Sequence, residues 1–208
     1  LNDDVLKAME EYLFVAPSHN GPYLEAIRKF RELLPSVLQV GVFETAFHTT
    51  IPIERRMYAF PYEWYEKYGI MRMGYHGASH SYIARYMEKT EGSTGRLISC
   101  HLGGSSSLCA ILDGKSMDTS FGFSLQTGIP HANRVGDLDA YVVPFLMNEG
   151  LTLQEIDYGL SKNGGLLGIS GVSGDLRLIE EAAAGGNRRA LLAIDVMVCA
   201  IVRYIGAF

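Results

Sequence analysis

Positive charge is in short supply in this chain. Lys and Arg number 18 against 23 Asp and Glu, a net charge of −5, so the basic footprint that a nucleic-acid backbone requires is missing. The cations are scattered, with Arg55-Arg56 and Arg188-Arg189 among the few adjacent pairs. An acidic protein with an anionic substrate has to focus such few cations at one point. Cysteine is scarce too: Cys100, Cys109 and Cys199 form no CxxC and leave one over. That argues against a disulfide framework and suits the reduced thiols of a cytoplasm. No charged-then-apolar leader opens the sequence, and no uninterrupted apolar run reaches membrane length. The strongest apolar stretch, Met197 to Ile205, contains Arg203 and is short, so a buried helix and no membrane partner are expected. At 48% hydrophobic and 20% charged residues the composition is that of an ordinary globular chain. Its 208 residues suffice for one full domain or two partial ones. Internal repeats, low-complexity tracts and evident linkers are absent. The first residue is Leu, and Ile205 to Phe208 carry no sign of a finished tail; a piece of a longer protein is expected.

Asn2-Asp3-Asp4 ahead of Val5, Met9, Tyr12 and Leu13 predicts an N-capped amphipathic helix. Two prolines and a glycine in 16–22 predict a loop, and Tyr23 to Leu34 a second helix stopped by Pro35. Leu38 to Phe43 predicts a short apolar strand with Glu44 at its carboxyl end, where α/β sheets collect ligands. The aromatic-rich residues 51–73 read as an irregular connection and Ser79 to Glu88 as a helix. Arg96 to Leu102, Ser106 to Leu112 and Lys115 to Ser120 predict three antiparallel strands turned at Gly103-Gly104-Ser105 and Asp113-Gly114. From Asp137 onward the pattern is mostly helical, broken at Asn163-Gly164-Gly165 and at Gly171 to Gly174.

Four groups of residues can carry chemistry. His101-Leu102-Gly103-Gly104-Ser105-Ser106-Ser107 is a strand, a Gly-rich turn and a returning strand. Such a turn can offer backbone N–H groups and hydroxyls to an anion, though many hairpins carry Gly-Gly for turn geometry alone. Glu44 can hold Mg²⁺ through water or orient a nucleophile; equally it can cap a helix. His76 and His80 are four apart, a spacing that invites zinc, with His48, His101 and Glu44 as further candidates. Gly77 between them argues instead that His76 precedes the helix, where it can donate to a phosphoryl group in transfer. Arg134, in a loop rich in Gly and Pro, can present its planar fork to a carboxylate or phosphate, or simply pair with Asp137 or Asp139.

The order of these groups along the chain resembles the acetate kinase family. Ala16-Pro17-Ser18-His19-Asn20 is similar to A-P-L-H-N, Phe43 to His48 to F-D-T-A-F-H, and Gly74 to His80 to G-F-H-G-T-S-H. His101 to Ser107 is similar to H-L-G-N-G-S-S, Arg134 to Asp139 to R-x-G-D-I-D, and Gly168 to Ser173 to G-x-S-G-x-S. The resemblance spans nearly the whole chain. It implies an α/β fold of the actin-like ATPase kind (actin, sugar kinase, Hsp70; ribonuclease H-like), two-lobed and here incomplete at both ends. Residues 1–48 would be a remnant of the first lobe, and 49–208 an incomplete second lobe with its phosphate-binding hairpin at 96–120. The implied reaction is reversible transfer of the ATP γ-phosphate to a short-chain carboxylate, giving ADP and an acyl phosphate, with Mg²⁺.

By the same resemblance His76 would stabilise the phosphoryl group and Arg134 would clamp the substrate carboxylate. Glu44 would stand where the family keeps a metal-associated Asp, and His19 would position phosphate or substrate. Ser18, Tyr75 and Leu125 would line the acid pocket, while His101, Gly103, Gly104, Ser105 and Ser106 would meet the nucleotide phosphates. The full-length form would be a homodimer. The chain also departs from the pattern. Glu44 replaces Asp, Gly104 replaces Asn, and Ser18, Tyr75 and Leu125 replace Leu, Phe and Pro. Two of those changes add hydroxyls, so an acid more polar than acetate, or propionate, is an alternative substrate. The family's N-x-G-S-S-S-x-K and G-G-I-G-E segments do not occur in this sequence. The isolated chain is therefore expected to be inactive, and a non-catalytic relative is the alternative of a different class.

Overall fold

The computed structural model describes residues 1–13, 15 and 17–208, the side chains of Pro17 and Ser18 excepted. Asn2 starts the first helix as expected: its side chain accepts the Val5 N–H, and α1 runs Asp3–Glu11 with Asp3 and Asp4 at the positive end of the helix dipole. Most of the segment expected as a loop is instead the opening of α2, Pro17–Leu33. Pro17 takes the first helical position, where a missing N–H is no loss, and Pro22 forgoes a single bond one turn later. Packing outweighs that cost. Asn20 donates to the Met9 and Tyr12 carbonyls at 3.4 and 3.2 Å, and Leu6 and Leu24 are buried.

The expected strand at 38–43 does not form. The segment has no assigned regular structure, and Leu38, Val40 and Val42 are 85%, 76% and 85% exposed. An apolar segment becomes a strand only when a neighbour takes its backbone hydrogen bonds. Among the described residues, Gln39 meets only the Leu1 amino group, at 2.8 Å.

The three central strands do form: β1 Arg96–Leu102, β2 Ser106–Leu112 and β3 Lys115–Thr119, antiparallel and adjacent in that order. Asp113 and Gly114 both take positive φ, as a two-residue hairpin turn requires. The register pairs Ser99 with Cys109 and His101 with Ser107. Helix α5, Gly77–Glu91, and a 3₁₀ turn, Ala46–Thr50, pack against this sheet, burying Ala84, Cys109 and Ile111 against Phe47 and Leu97. The aromatic-rich connection holds two short helices, α3 Ile53–Arg56 and α4 Tyr62–Tyr68. Arg72 fastens it to the sheet by donating to the Thr119, Ser120 and Phe121 carbonyls at 2.9, 3.4 and 3.0 Å.

The remainder is helical: α6 Val142–Asn148, α7 Leu153–Ser161, α8 Gly165–Ser170, α9 Leu176–Ala184 and α10 Arg188–Ala207. A core of Leu166, Ile179, Ala190, Ala193 and Met197 joins α8, α9 and α10. The expectation of a short buried helix near the carboxyl end is corrected here. Helix α10 has 20 residues and buries one face only, leaving Leu191, Leu192, Val198 and Val202 about half exposed. By length and composition it is apolar enough to cross a membrane, yet it contains Asp195 and Arg203 and packs on α8 and α9.

Candidate active site

The site is organised by the start of α5. Glu44 caps that helix: its carbonyl accepts the Gly77 N–H at 3.0 Å and its Oε2 accepts the Ala78 N–H at 3.3 Å. A Cβ on Gly77 would stand 2.1 Å from the Glu44 carbonyl oxygen, so only glycine permits this approach. His76, just before the helix, has φ 57° and ψ 27°. A left-handed conformation at a non-glycine residue costs about 1–3 kcal/mol and is held by its surroundings. Those surroundings are specific. The His76 ring stacks on His101 at 4.0 Å and lies 5.2 Å from Phe121. Its Nδ1 is 2.8 Å from Ser107 Oγ; among the described residues, its Nε2 has no hydrogen-bond partner.

Arg134 approaches from the helical side. It donates from Nη1 to the Leu125 carbonyl at 2.7 Å and is partly buried. The pairing with Asp137 or Asp139 does not occur. Asp137 instead accepts from the Gly128 N–H and from Tyr204, at 2.8 and 2.6 Å, and Asp139 accepts the Tyr141 N–H. Arg134 thus keeps donors free for a ligand. His19 is exposed on α2, and the Ser18 side chain lies outside the described residues. Tyr75 donates its hydroxyl to the Phe123 carbonyl at 2.8 Å and packs edge-on against Phe121.

The Gly-rich turn is docked rather than free. Gly104 accepts the Ala132 N–H at 3.0 Å, and Ser106 is fully engaged, its hydroxyl with Gly103 and its N–H with His131 Nδ1. Ser105 differs: its hydroxyl is buried with no partner among the described residues. A buried polar atom left unsatisfied is rare and marks a place where a ligand atom can complete the bonding. His101 is oriented by Ser79 at 3.0 Å.

Burial and crowding keep these imidazoles neutral. Burial first, then the charges of His101, Arg134, His48 and His19, lower His76 to about 4. Burial with His48, His76 and His101 lowers His80 to about 3. Burial and the Arg134 charge lower His131 to about 3. Arg134, the permanent cation among these neighbours, makes this a surface suited to negative charge. A stability consequence follows by linkage. Each folded-state value lies below the ordinary 6.5, so the unfolded chain takes up protons that the folded chain refuses. Stability is fully present above pH 6.5 and falls as pH drops toward the folded values. His80 and His131 each remove about 1.4 kcal/mol per pH unit in that window. Urea titrations at pH 7 and pH 5 should show the midpoint falling; equal midpoints would contradict the neutral burial.

Zinc is not supported: among the described residues, no group of three His, Cys, Asp or Glu could hold a metal ion. His76 Nδ1 and His80 Nε2 converge on the Ser107 hydroxyl, each at 2.8 Å, so the two nitrogens a shared metal would need are taken by one serine. Sequence reasoning gave no role to Ser99 or His131, and it named Ser107 in the Gly-rich group without its contacts to His76 and His80. The strand register carried the signal for Ser107, because a hairpin closed at 103–105 sets it directly opposite His101.

Comparison with known proteins places this geometry. The model of the acetokinase family matches residues 1–208. Acetate kinase from Halothermothrix orenii is 45% identical over 213 residues, covering all of this chain and 53% of that protein. Acetate kinase 1 from Listeria monocytogenes is 46% identical with the same coverage. Among solved structures, Porphyromonas gingivalis acetate kinase aligns with TM-score 0.90 at 40% identity, covering 100% of this chain and 53% of its own. A propionate kinase from Francisella tularensis aligns with TM-score 0.94 at 35% identity, covering 100% and 54%. The chain therefore spans about half the length of the relatives it matches. These neighbours have the actin-like ATPase fold, of which this chain carries a part. With both the sequence and the geometry matched along its length, the chain belongs to the acetokinase family.

Proposed function

We propose that this chain is the central part of an acetate kinase-type phosphotransferase, which moves the γ-phosphate of ATP reversibly onto acetate. One observation carries the reading. A left-handed His76 stacks on His101 and feels the charges of Arg134 and His19, in a chain of the acetokinase family. In this reading a carboxylate oxygen attacks the γ-phosphorus in line, the bond to ADP breaks, and an acyl phosphate leaves. Arg134 holds the carboxylate with the donors that Leu125 does not take. His76 donates from Nε2 to the transferring phosphoryl oxygens, and Ser105 with the Gly103-Gly104 backbone meets the nucleotide phosphates. The work is positioning and charge neutralisation. Residues 1–48 fall to one lobe and 49–208 to the other, with ATP between them and a homodimer as the complete assembly.

Mg²⁺ fits these residues only in part. Glu44 spends Oε2 on the Ala78 N–H, leaving Oε1 for a metal-bound water, in keeping with an ion held by one carboxylate and substrate phosphates. When bound, that ion would neutralise charge on the phosphates.

A second reading, propionate as the acid, is favoured by the structural likeness to the Francisella propionate kinase and by the altered residues Ser18, Tyr75 and Leu125. One experiment addresses both. The chain is joined to the flanking segments of a homologous acetate kinase, and kcat/KM is measured for acetate, propionate and a hydroxylated acid. Phosphorylation of acetate is expected, whereas inactivity toward all three acids in a folded chimera would overturn the proposal. The 208-residue chain alone should bind ATP more weakly than micromolar by calorimetry.

A further inference from the structure

Behind His76 lies a line of four groups: Ser99 Oγ to His80 Nδ1 at 2.9 Å, His80 Nε2 to Ser107 Oγ at 2.8 Å, and Ser107 Oγ to His76 Nδ1 at 2.8 Å. Ser99, His80 and Ser107 are 4%, 0% and 0% exposed, so water does not stand in for any of these contacts. With both imidazoles neutral, each of the four groups owns one proton to donate. Three bonds among four such groups form when the protons point one way along the line, in either direction, or when Ser107 accepts from both rings.

Two directions are possible. If His76 donates from Nδ1 to Ser107, then Ser107 donates to His80 and His80 donates to Ser99. The Ser99 hydroxyl then has a proton and nowhere to put it, because among the described residues His80 is its only side-chain partner. A buried donor left unmade costs about 1–3 kcal/mol. If instead Ser99 donates to His80 Nδ1, His80 Nε2–H donates to Ser107 and Ser107 donates to His76 Nδ1, every buried proton is used. The last proton then sits on His76 Nε2, the one nitrogen that opens outward. A third arrangement, with Ser107 accepting from both rings, strands the Ser107 proton in the same way.

We infer that Ser99, His80 and Ser107 are positioning residues that fix His76 as the Nε2–H tautomer and so present a donor to the site. The inference deepens the reading of His76 as the phosphoryl donor and rests on it for its purpose, though not for its geometry. An anion meeting a bare Nε2 lone pair would be repelled; meeting Nε2–H it gains a bond. Hydrogen bonds along such a line polarise one another in the same sense.

The test reads tautomers directly. The 208-residue chain is labelled with ¹⁵N-histidine, and long-range ¹⁵N–¹H correlation spectra are recorded at neutral pH. His48 is the internal standard, since its Nε2 faces the Tyr75 carbonyl at 2.8 Å and must carry the proton. His76 and His80 are expected to show a bare Nδ1 and a protonated Nε2; a proton on Nδ1 of either overturns the inference. In Ser107→Val, His76 should lose its single tautomer, while His48 stays unchanged. Ser107→Thr should restore the original pattern. Spectra of Ser107→Val identical to the parent would also overturn it, and the parent spectra decide the matter if the valine variant does not fold. In the chimeric enzyme Ser107→Val should lower kcat about tenfold with KM held. Correct tautomers together with a His76→Ala chimera of full kcat would sustain the relay and sink the phosphoryl reading.

Discussion

Replacing His76 by alanine in the chimeric enzyme should lower kcat about 10²–10³-fold, the usual cost of removing one preorganised donor to a charge-developing oxygen. KM for both substrates should change little. The reason for the split is that the donor meets the phosphoryl oxygens most strongly when charge is spreading over them, so its loss raises the barrier rather than weakening ground-state binding. Charge at His76 is not what is lost, because the ring, pressed to about 4 by burial and its neighbours, is neutral at pH 7. Replacement by glutamine, whose amide can put an N–H near the Nε2 position, should therefore recover part of the rate. The stacking on His101 and the left-handed backbone matter here: they hold the ring in place before substrate arrives, so little reorganisation is left for the reaction step. A raised KM with unchanged kcat would assign His76 to binding alone.

Much of this arrangement could be read from residues, and the exceptions have physical causes. The hairpins were legible because Gly-Gly and Asp-Gly name their turns. That His76 precedes α5 was legible from Gly77, though the helix begins at Gly77 rather than at the expected Ser79. Glu44 had two readings, and its side chain does cap α5 while retaining one free oxygen. Pairwise rules failed where tertiary context decides. Pro22 reads as a breaker but stands in a helix held by Asn20 and Leu24. Residues 38–43 read as a strand, yet no described strand pairs with them. The Ser99–His80–Ser107–His76 line was illegible for another reason: serine is the least distinctive polar residue, and its part appears only once strand register and helix packing have placed two rings against one hydroxyl.

The largest effect on folding should come from Gly165→Ala. Gly165 begins α8 at φ +59°, and a Cβ there would stand 2.2 Å from the His131 carbonyl oxygen and 2.5 Å from that of Arg134. Those carbonyls cannot retreat, because the loop is stitched to the helix start. Leu166 and Leu167 donate their N–H groups to the His131 and Ala132 carbonyls at 2.8 and 2.9 Å, and Gly164 donates to Asn133 at 3.1 Å. Left-handed strain and overpacking each cost about 1–3 kcal/mol, so a loss of about 3 kcal/mol or more is expected in urea unfolding. Gly92→Ala supplies the control: Gly92 has φ +76° with nothing within 4 Å of the added carbon, so it should cost only the backbone term, about 1 kcal/mol. The difference between the two isolates the contact with the Arg134 loop. That contact also ties stability to chemistry. Folded Gly165→Ala protein, in the chimera, should bind the carboxylate substrate more weakly, because the loop that aims Arg134 must move to admit the methyl group. Equal destabilisation by the two alanines would mean that the loop yields freely, and that Arg134 is not held where the carboxylate needs it.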